Sequence, residues 1–295
     1  MWNCPKVAWY KMKTILLVVN SPKFFLSHWL GIALISKQQG FDVQIATAYL
    51  GSETQKIESY GFKVHYIPLS RSGMNLISEI NLIRKLFKLF RTINPDIVHL
   101  ITIKPVIYGG LVARFCGIKK VIAAVTGLGY VFLNTNRSGI ILRSVVSFLY
   151  TISLSNKRIS VVFENKEDML NFVTLGLVKE KKCVVINGAG VDLTHYAHLP
   201  EPPLPIRVIF ASRLLRDKGI LEFLEAAQIC LSLNKDINFT IAGNIDPDNP
   251  ASLTAEEVQL FGQRKNVKFL GFRDDIANLF SASHIVVLPS YREGL

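Results

Sequence analysis

Ile285-Val286-Val287-Leu288-Pro289-Ser290-Tyr291-Arg292-Glu293-Gly294-Leu295 is an apolar run followed by a polar tail. The run Ile285–Leu288 is rich in β-branched residues and is predicted to be a buried parallel strand. In open α/β sheets, ligands sit in the crevice just past the carboxyl ends of the strands. Glu293 places a carboxylate there to grip hydroxyls, and Gly294 lets backbone approach a ligand. The stretch predicts a parallel sheet with a ligand site at its carboxyl edge. The helix that should complete that site falls beyond Leu295.

Upstream, strand-like and helix-like patterns alternate, which predicts βαβ units. Thr14–Val19, Val43–Thr47, Lys63–Ile67, Asp96–Ile101, Val121–Thr126, Ile159–Phe163 and Cys183–Ile186 read as strands. Phe25–Gln38 reads as a helix. His195 to Pro205 contains Pro200, Pro202, Pro203 and Pro205 and reads as a stiff linker. The alternation then restarts, with strands Arg207–Ala211, Asn238–Ala242 and Val267–Leu270 before the last one. The expected organisation is an extension over 1–12, a Rossmann-like unit over 13–194, a linker over 195–205 and an incomplete second unit over 206–295. Both units are expected to be doubly wound α/β sheets.

Composition narrows the class. An apolar fraction of 49% with 19% charged residues suits large cores and argues against disorder. The four cysteines lie far apart, which favours reduced thiols in a cytoplasmic setting over a disulfide framework or a cysteine zinc site. Residues 1–12 are too short and polar for a secretory signal. The net charge is +12, but residues 1–200 hold 24 Lys and Arg against 10 Asp and Glu, and the rest hold 10 against 12. A basic first unit predicts an acidic partner. Aromatic and basic residues do not interleave and no nucleic-acid module is present, so nucleic acid is not the expected one.

The second unit carries the chemistry. Arg213-Leu214-Leu215-Arg216-Asp217-Lys218-Gly219 joins its first strand to a helix. Arg213 and Lys218 could meet an anion at the helix N-terminus, where the macrodipole also favours negative charge. An ordinary charged loop has the same composition. The next strands end at Gly243 and at Gly271-Phe272-Arg273, so every strand end offers a small or charged group to one edge. This describes a nucleotide crevice without the dinucleotide glycine fingerprint.

These residues resemble the donor domain of family 4 glycosyltransferases, retaining enzymes of the GT-B fold. The resemblance implies that Arg213 and Lys218 bind the donor diphosphate and that Glu293 contacts the transferred sugar. It also implies that the backbone at Gly294 and Leu295 cradles phosphate, and that Phe272 and Arg273 pack on the base. The family's second Glu, which holds the ribose, would fall six positions beyond Leu295. His284 stands where such proteins usually carry an acid. The first unit resembles the acceptor domain of members that build bacterial surface polysaccharides. His28, Lys104, Thr126 and Gly127 lie on its strand-end loops and are implied acceptor-side residues. His28 can equally be a helix-start residue packing near Trp29, and Gly127 a turn glycine.

Asp246-Pro247-Asp248 spells the Asp-x-Asp of metal-dependent glycosyltransferases. It lies in a loop, and the GT-B resemblance implies no metal cofactor, so it is not taken as a metal site. In Leu76–Ile93, Asn81, Arg84, Lys85, Lys88 and Arg91 form one polar stripe beside an apolar arc. Such a helix can lie on an anionic membrane surface or pack on a core with its charges in water. Ile140–Ser155 is apolar but contains Arg143 and is shorter than the ~20 residues a span needs. It reads as a buried or interfacial helix.

The resemblance implies a glycosyltransferase that takes a UDP-linked nucleotide-sugar and a lipid-linked (undecaprenyl diphosphate) saccharide acceptor at the inner face of the cytoplasmic membrane. Two other readings stay open. The chain can be an inactive fragment of such an enzyme, with an exposed sheet edge and poor solubility. It can also resemble a GT-B epimerase acting on UDP-N-acetylglucosamine.

Overall fold

Ile206–Ala211 forms a strand because Val208, Ile209 and Phe210 bury on both sides of a sheet, as expected for a central parallel strand. It belongs to a computed structural model that describes residues 12–69, 75–127, 137–188, 190–247, 249–291 and 293. The expected extension over 1–12 therefore lies almost wholly outside the described residues. The chain divides into two compact units, one running to Gly190 and one from Val191 to Glu293.

The first unit holds strands β1 (Thr14–Val18), β2 (Asp42–Thr47), β3 (Lys63–Tyr66), β4 (Ile97–Ile101), β5 (Lys120–Val125), β6 (Ile159–Phe163) and β7 (Cys183–Val185). All are parallel, in the order β3-β2-β1-β4-β5-β6-β7. The winding reverses between β1 and β4. Helices cover both faces. Leu82, Leu86 and Phe90 of Leu76–Ile93 pack with Tyr150 of Arg137–Leu154 in one core. Phe25, Ala33 and Ile57 fill the other with Leu17 and Ile45.

The segment Pro22–Gln38 is helical almost from β1 onward, with a π-helical turn at Phe25–Trp29. The helix starts at Pro22 rather than at the expected Phe25, and His28, expected on a strand-end loop, lies within it. Pro22 sits at its first position, where a fixed φ favours the turn and the missing N–H costs nothing.

The second unit holds β8 (Ile206–Ala211), β9 (Ile237–Ala242), β10 (Val267–Gly271) and β11 (Ile285–Val286), parallel in the order β10-β9-β8-β11. Phe210, Phe223 and Phe239 pack in its core, tilted and edge-to-face, with successive ring centroids 5.4 Å apart. Burying each such side chain contributes about 1.5–3 kcal/mol. The helix Ile220–Ser232 buries Ile220, Phe223, Leu224 and Ala227 at helical spacing.

One expectation fails here. Ile285–Leu288 was read as a buried strand, but the ladder covers Ile285–Val286 alone, and those residues and Leu288 are about half exposed. Among the described residues β11 pairs only with β8, so nothing covers its outer side. An apolar run records the tendency to be buried, not the presence of a neighbour that buries it.

Candidate active site

In the second sheet the winding runs outward from β8 through β9 to β10, then returns to β11 on the other side of β8. The crevice at such a reversal is the expected ligand site of an open α/β sheet. Two loops meet there. One follows β8 and contains Arg213 and Lys218. The other follows β11 and contains Ser290 and Glu293.

The structure brings three of the expected residues together. Lys218 Nζ lies 2.7 Å from Glu293 Oε2, an ion pair spanning 75 positions of sequence. Ser290 Oγ donates to Glu293 Oε1 at 2.5 Å. Arg213 is near enough to act on the Glu293 carboxyl electrostatically. Partial burial pushes that carboxyl up. Hydrogen bonds from Lys218 and Ser290, with the charges of Lys218 and Arg213, outweigh burial and hold it below its ordinary value of 4.5.

Neither cation is bare. Arg213 Nη1 lies 2.7 Å from Asp246 Oδ2. The two cations the sequence marked for an anion each already hold a carboxylate, because unpaired charges at a part-buried edge are costly.

Glycine supports the same edge. Gly219 opens the helix Ile220–Ser232 at φ +73°, and a Cβ there would lie 2.1 Å from the Pro289 carbonyl oxygen. A Cβ on Gly243 would lie 1.8 Å from the Ser212 carbonyl oxygen. These two close approaches hold the loops after β8, β9 and β11 against one another. Beside them lies an apolar cavity of about 210 Å³, lined by Leu214, Gly243, Ile245, Val258, Phe269 and Gly271. Phe269 lines it, and Phe272, the residue expected to pack on the base, is 57% exposed. Arg273 is bidentate to Asp275, with Nε 2.7 Å and Nη2 2.5 Å from its carboxylate. Gly294 and Leu295 lie outside the described residues.

His284 stands at the start of β11, where an acid was expected. Its Nδ1 accepts a hydrogen bond from the Arg207 backbone N–H at 3.1 Å. An imidazole nitrogen thus stands as the acceptor at this position.

Linkage gives this cluster a pH signature. The Glu293 pKa is depressed in the fold, so its contribution to stability is present above its unfolded value. It is lost as pH falls through the folded value. Thermal unfolding of the second unit should hold steady down to about pH 4.5, the ordinary carboxyl value, and weaken below it. Glu293→Gln should remove part of that acid-side loss. An identical profile in the variant would rule out the pairing.

The acceptor-side residues follow β1, β4 and β5, three neighbouring strands of the first sheet. His28 is exposed, with Nδ1 2.6 Å from Ser27 Oγ and its ring 4.5 Å from that of Phe24. Although the residue is exposed, its ring is partly desolvated, and that holds its pKa below the usual histidine value, against a hydrogen bond with the Phe24 backbone. Trp29 packs instead on buried His99, whose pKa burial lowers to about 4. Lys104 pairs with Glu79 at 2.6 Å, and both are largely buried. Glu79 also faces Tyr108, whose hydroxyl is pushed up to about 12 by burial and by that carboxylate. Thr126 is half-buried, and Gly127 has φ +125° with open space where a Cβ would be. Conformation rather than crowding demands glycine there.

Sequence reading missed Glu79, Asp246 and Ser290. Glu79 had one signal, as the lone acid of a basic helix. Asp246 was weighed only as a metal ligand, and its partner Asp248 lies outside the described residues.

Comparison with known proteins fits this geometry. Residues 14–163 match the family described as Glycosyl transferase 4-like, and residues 196–295 match Glycosyl transferases group 1. A relative from Campylobacter jejuni, N,N'-diacetylbacillosaminyl-diphospho-undecaprenol alpha-1,3-N-acetylgalactosaminyltransferase, is 31% identical over 82% of this chain. The Escherichia coli UDP-Gal:alpha-D-GlcNAc-diphosphoundecaprenol alpha-1,3-galactosyltransferase is 26% identical over 86% of it. The chain spans 65% and 67% of the lengths of these two relatives. The solved structure of Anabaena Alr3699/HepE in complex with UDP and glucose superposes with a TM-score of 0.65 at 17% identity. That superposition covers 95% of this chain and 74% of the other, and shows a GT-B-like fold. With one family match covering residues 14–163 and a second covering the remaining sheet, the chain belongs to the glycosyl transferase 4-like family.

Proposed function

We propose that the protein transfers a sugar from a UDP-linked donor to a lipid-linked or polysaccharide acceptor, with retention, in building a bacterial surface polysaccharide such as lipopolysaccharide or capsule. The observation that carries this reading is the meeting of Arg213, Lys218 and Glu293 at the winding reversal of the second sheet. Arg213 and Lys218 neutralise the departing diphosphate, which is electrostatic stabilisation of a leaving group. Glu293 orients the donor sugar. Gly243, Phe272, Arg273, Gly294 and Leu295 complete the donor side, and His28, Lys104, Thr126 and Gly127 serve the acceptor. Attack and departure on the same face require no protein nucleophile. Both relatives are named for diphospho-undecaprenol substrates, which supports an acceptor of that class.

The test is incubation of the full-length protein with UDP-sugars and an undecaprenyl-diphosphate-linked saccharide. NMR of the product then gives its anomeric configuration. Acceptor-dependent transfer with the donor's configuration kept is expected. Release of a free epimerised sugar without acceptor would replace the reading by an epimerase one.

A lipid-linked acceptor supports a position at the inner membrane face, and two helices of the first unit suit that surface. No helix among the described residues is long and apolar enough to cross a membrane. Leu76–Ile93 exposes Leu76, Ile77, Ile80 and Phe87 beside exposed Arg84, Lys85, Lys88 and Arg91. Arg137–Leu154 exposes Ile141, Val145 and Phe148. Each cation near an anionic surface contributes about 1 kcal/mol. Replacing Arg84, Lys85 and Lys88 with glutamine should lower affinity for phosphatidylglycerol vesicles about 100-fold. Unchanged co-sedimentation would exclude this helix as the contact.

A further inference from the structure

The loop after β9 is laced to the cationic loop after β8. Leu214 N–H donates to Asn244 O at 3.0 Å, Arg216 N–H to Ala251 O at 2.8 Å, and Leu253 N–H to Leu214 O at 2.8 Å. Leu215 pairs antiparallel with Ser252. The loop is also closed on itself. Asp246 N–H donates to Ser252 Oγ at 2.9 Å, Asn249 N–H to Asp246 O at 2.8 Å, and Ala251 N–H to Asn249 Oδ1 at 3.0 Å.

This closed turn fixes the carboxylate that meets Arg213. The Asp246 side chain is 18% exposed and the Arg213 side chain 52%. A guanidinium is a planar fork with five N–H donors. Here Nη1 binds Asp246, and the other donors have no hydrogen-bond partner among the described residues. A half-exposed arginine without that tether would occupy many rotamers and lose that freedom on binding an anion. With it, the plane is set beforehand.

We propose that Asp246 is a positioning residue for the donor diphosphate, holding Arg213 by one nitrogen and leaving its other donors to the anion. The inference rests on the donor-binding role of Arg213 proposed above. It has a clear rival in Coulomb's law. A carboxylate 2.7 Å from Arg213 also offsets its charge, and if that were its whole effect, its removal would tighten anion binding.

Calorimetric titration of the full-length protein with UDP and with UMP separates these. UMP lacks the terminal phosphate, so a diphosphate-positioning residue acts on the ratio of the two affinities. Asp246→Ala is expected to weaken UDP about tenfold and UMP less than twofold. Asp246→Asn keeps the accepting oxygen and should bind UDP within threefold of wild type. Arg213→Ala should lose the preference for UDP over UMP altogether. UDP binding by Asp246→Ala that equals or exceeds wild type overturns the inference alone. So does an equal loss for both nucleotides, which would mark a purely structural role. Failure of the wild-type protein to bind UDP overturns this inference and the donor reading together.

Discussion

Lys218→Ala lowers the rate of sugar transfer about 10²–10³-fold, the size expected for loss of one preorganised charge at a leaving group. Two effects act in the same direction. The variant removes a cation from the crevice between β8 and β11. It also strips Glu293 of its ammonium, leaving a part-buried carboxylate that Lys218 had offset. The bare carboxylate then repels the incoming diphosphate. This predicts a specific non-additivity. Lys218→Ala with Glu293→Gln should bind UDP more tightly than Lys218→Ala alone, although it transfers no faster. Steady-state kinetics with separate kcat and KM, beside UDP titration, measure both. A Lys218→Ala enzyme within threefold of wild type would end the assignment of Lys218 to the leaving group.

Gly219→Ala destabilises the second unit by about 3 kcal/mol, toward the upper end of single-substitution effects. Two costs combine at this position. The φ of +73° is unfavourable for any residue with a Cβ. The added atom would also lie 2.1 Å from the backbone oxygen of Pro289, which cannot rotate away as a side chain can. The chain after β11 must move, and Glu293 moves with it. Gly271 is the control in the same sheet. Its φ is +68°, but the nearest atom to a built Cβ is Asn244 Oδ1 at an ordinary 3.5 Å. Gly271→Ala should therefore cost about 1 kcal/mol, the conformational part alone. Urea denaturation of both variants checks the difference. Equal costs would show that the Gly219–Pro289 contact does not constrain the fold.

What the sequence could and could not say follows from the range of the interactions. Strands such as Ile206–Ala211 and Ile237–Ala242 were legible because burial on two faces leaves a local apolar run. The loop holding Arg213, Lys218 and Gly219 was legible because strand, cations, glycine and helix follow in order. The pairings were not. Arg213 finds Asp246 across 33 positions, Lys104 finds Glu79 across 25, and Lys218 finds Glu293 across 75. The first and last depend on which strands lie side by side, and no local pattern encodes the order β10-β9-β8-β11; the second depends on how the helix Leu76–Ile93 lies on its sheet. Ile285–Leu288 has the residues of a buried strand, and among the described residues it pairs on one side only.

The placement of β8 and β11 also has a mechanical consequence. β8 is flanked by β9 and β11, and the loop it carries is stitched to a second loop at Ser252. β11 is held by a two-residue ladder at the margin of the described sheet, helped by the contacts of Val287 and Tyr291 with the β8 side. The arginine and lysine thus ride on one strand and the glutamate on its neighbour, so the way β11 seats on β8 sets the gap between the cations and the carboxylate.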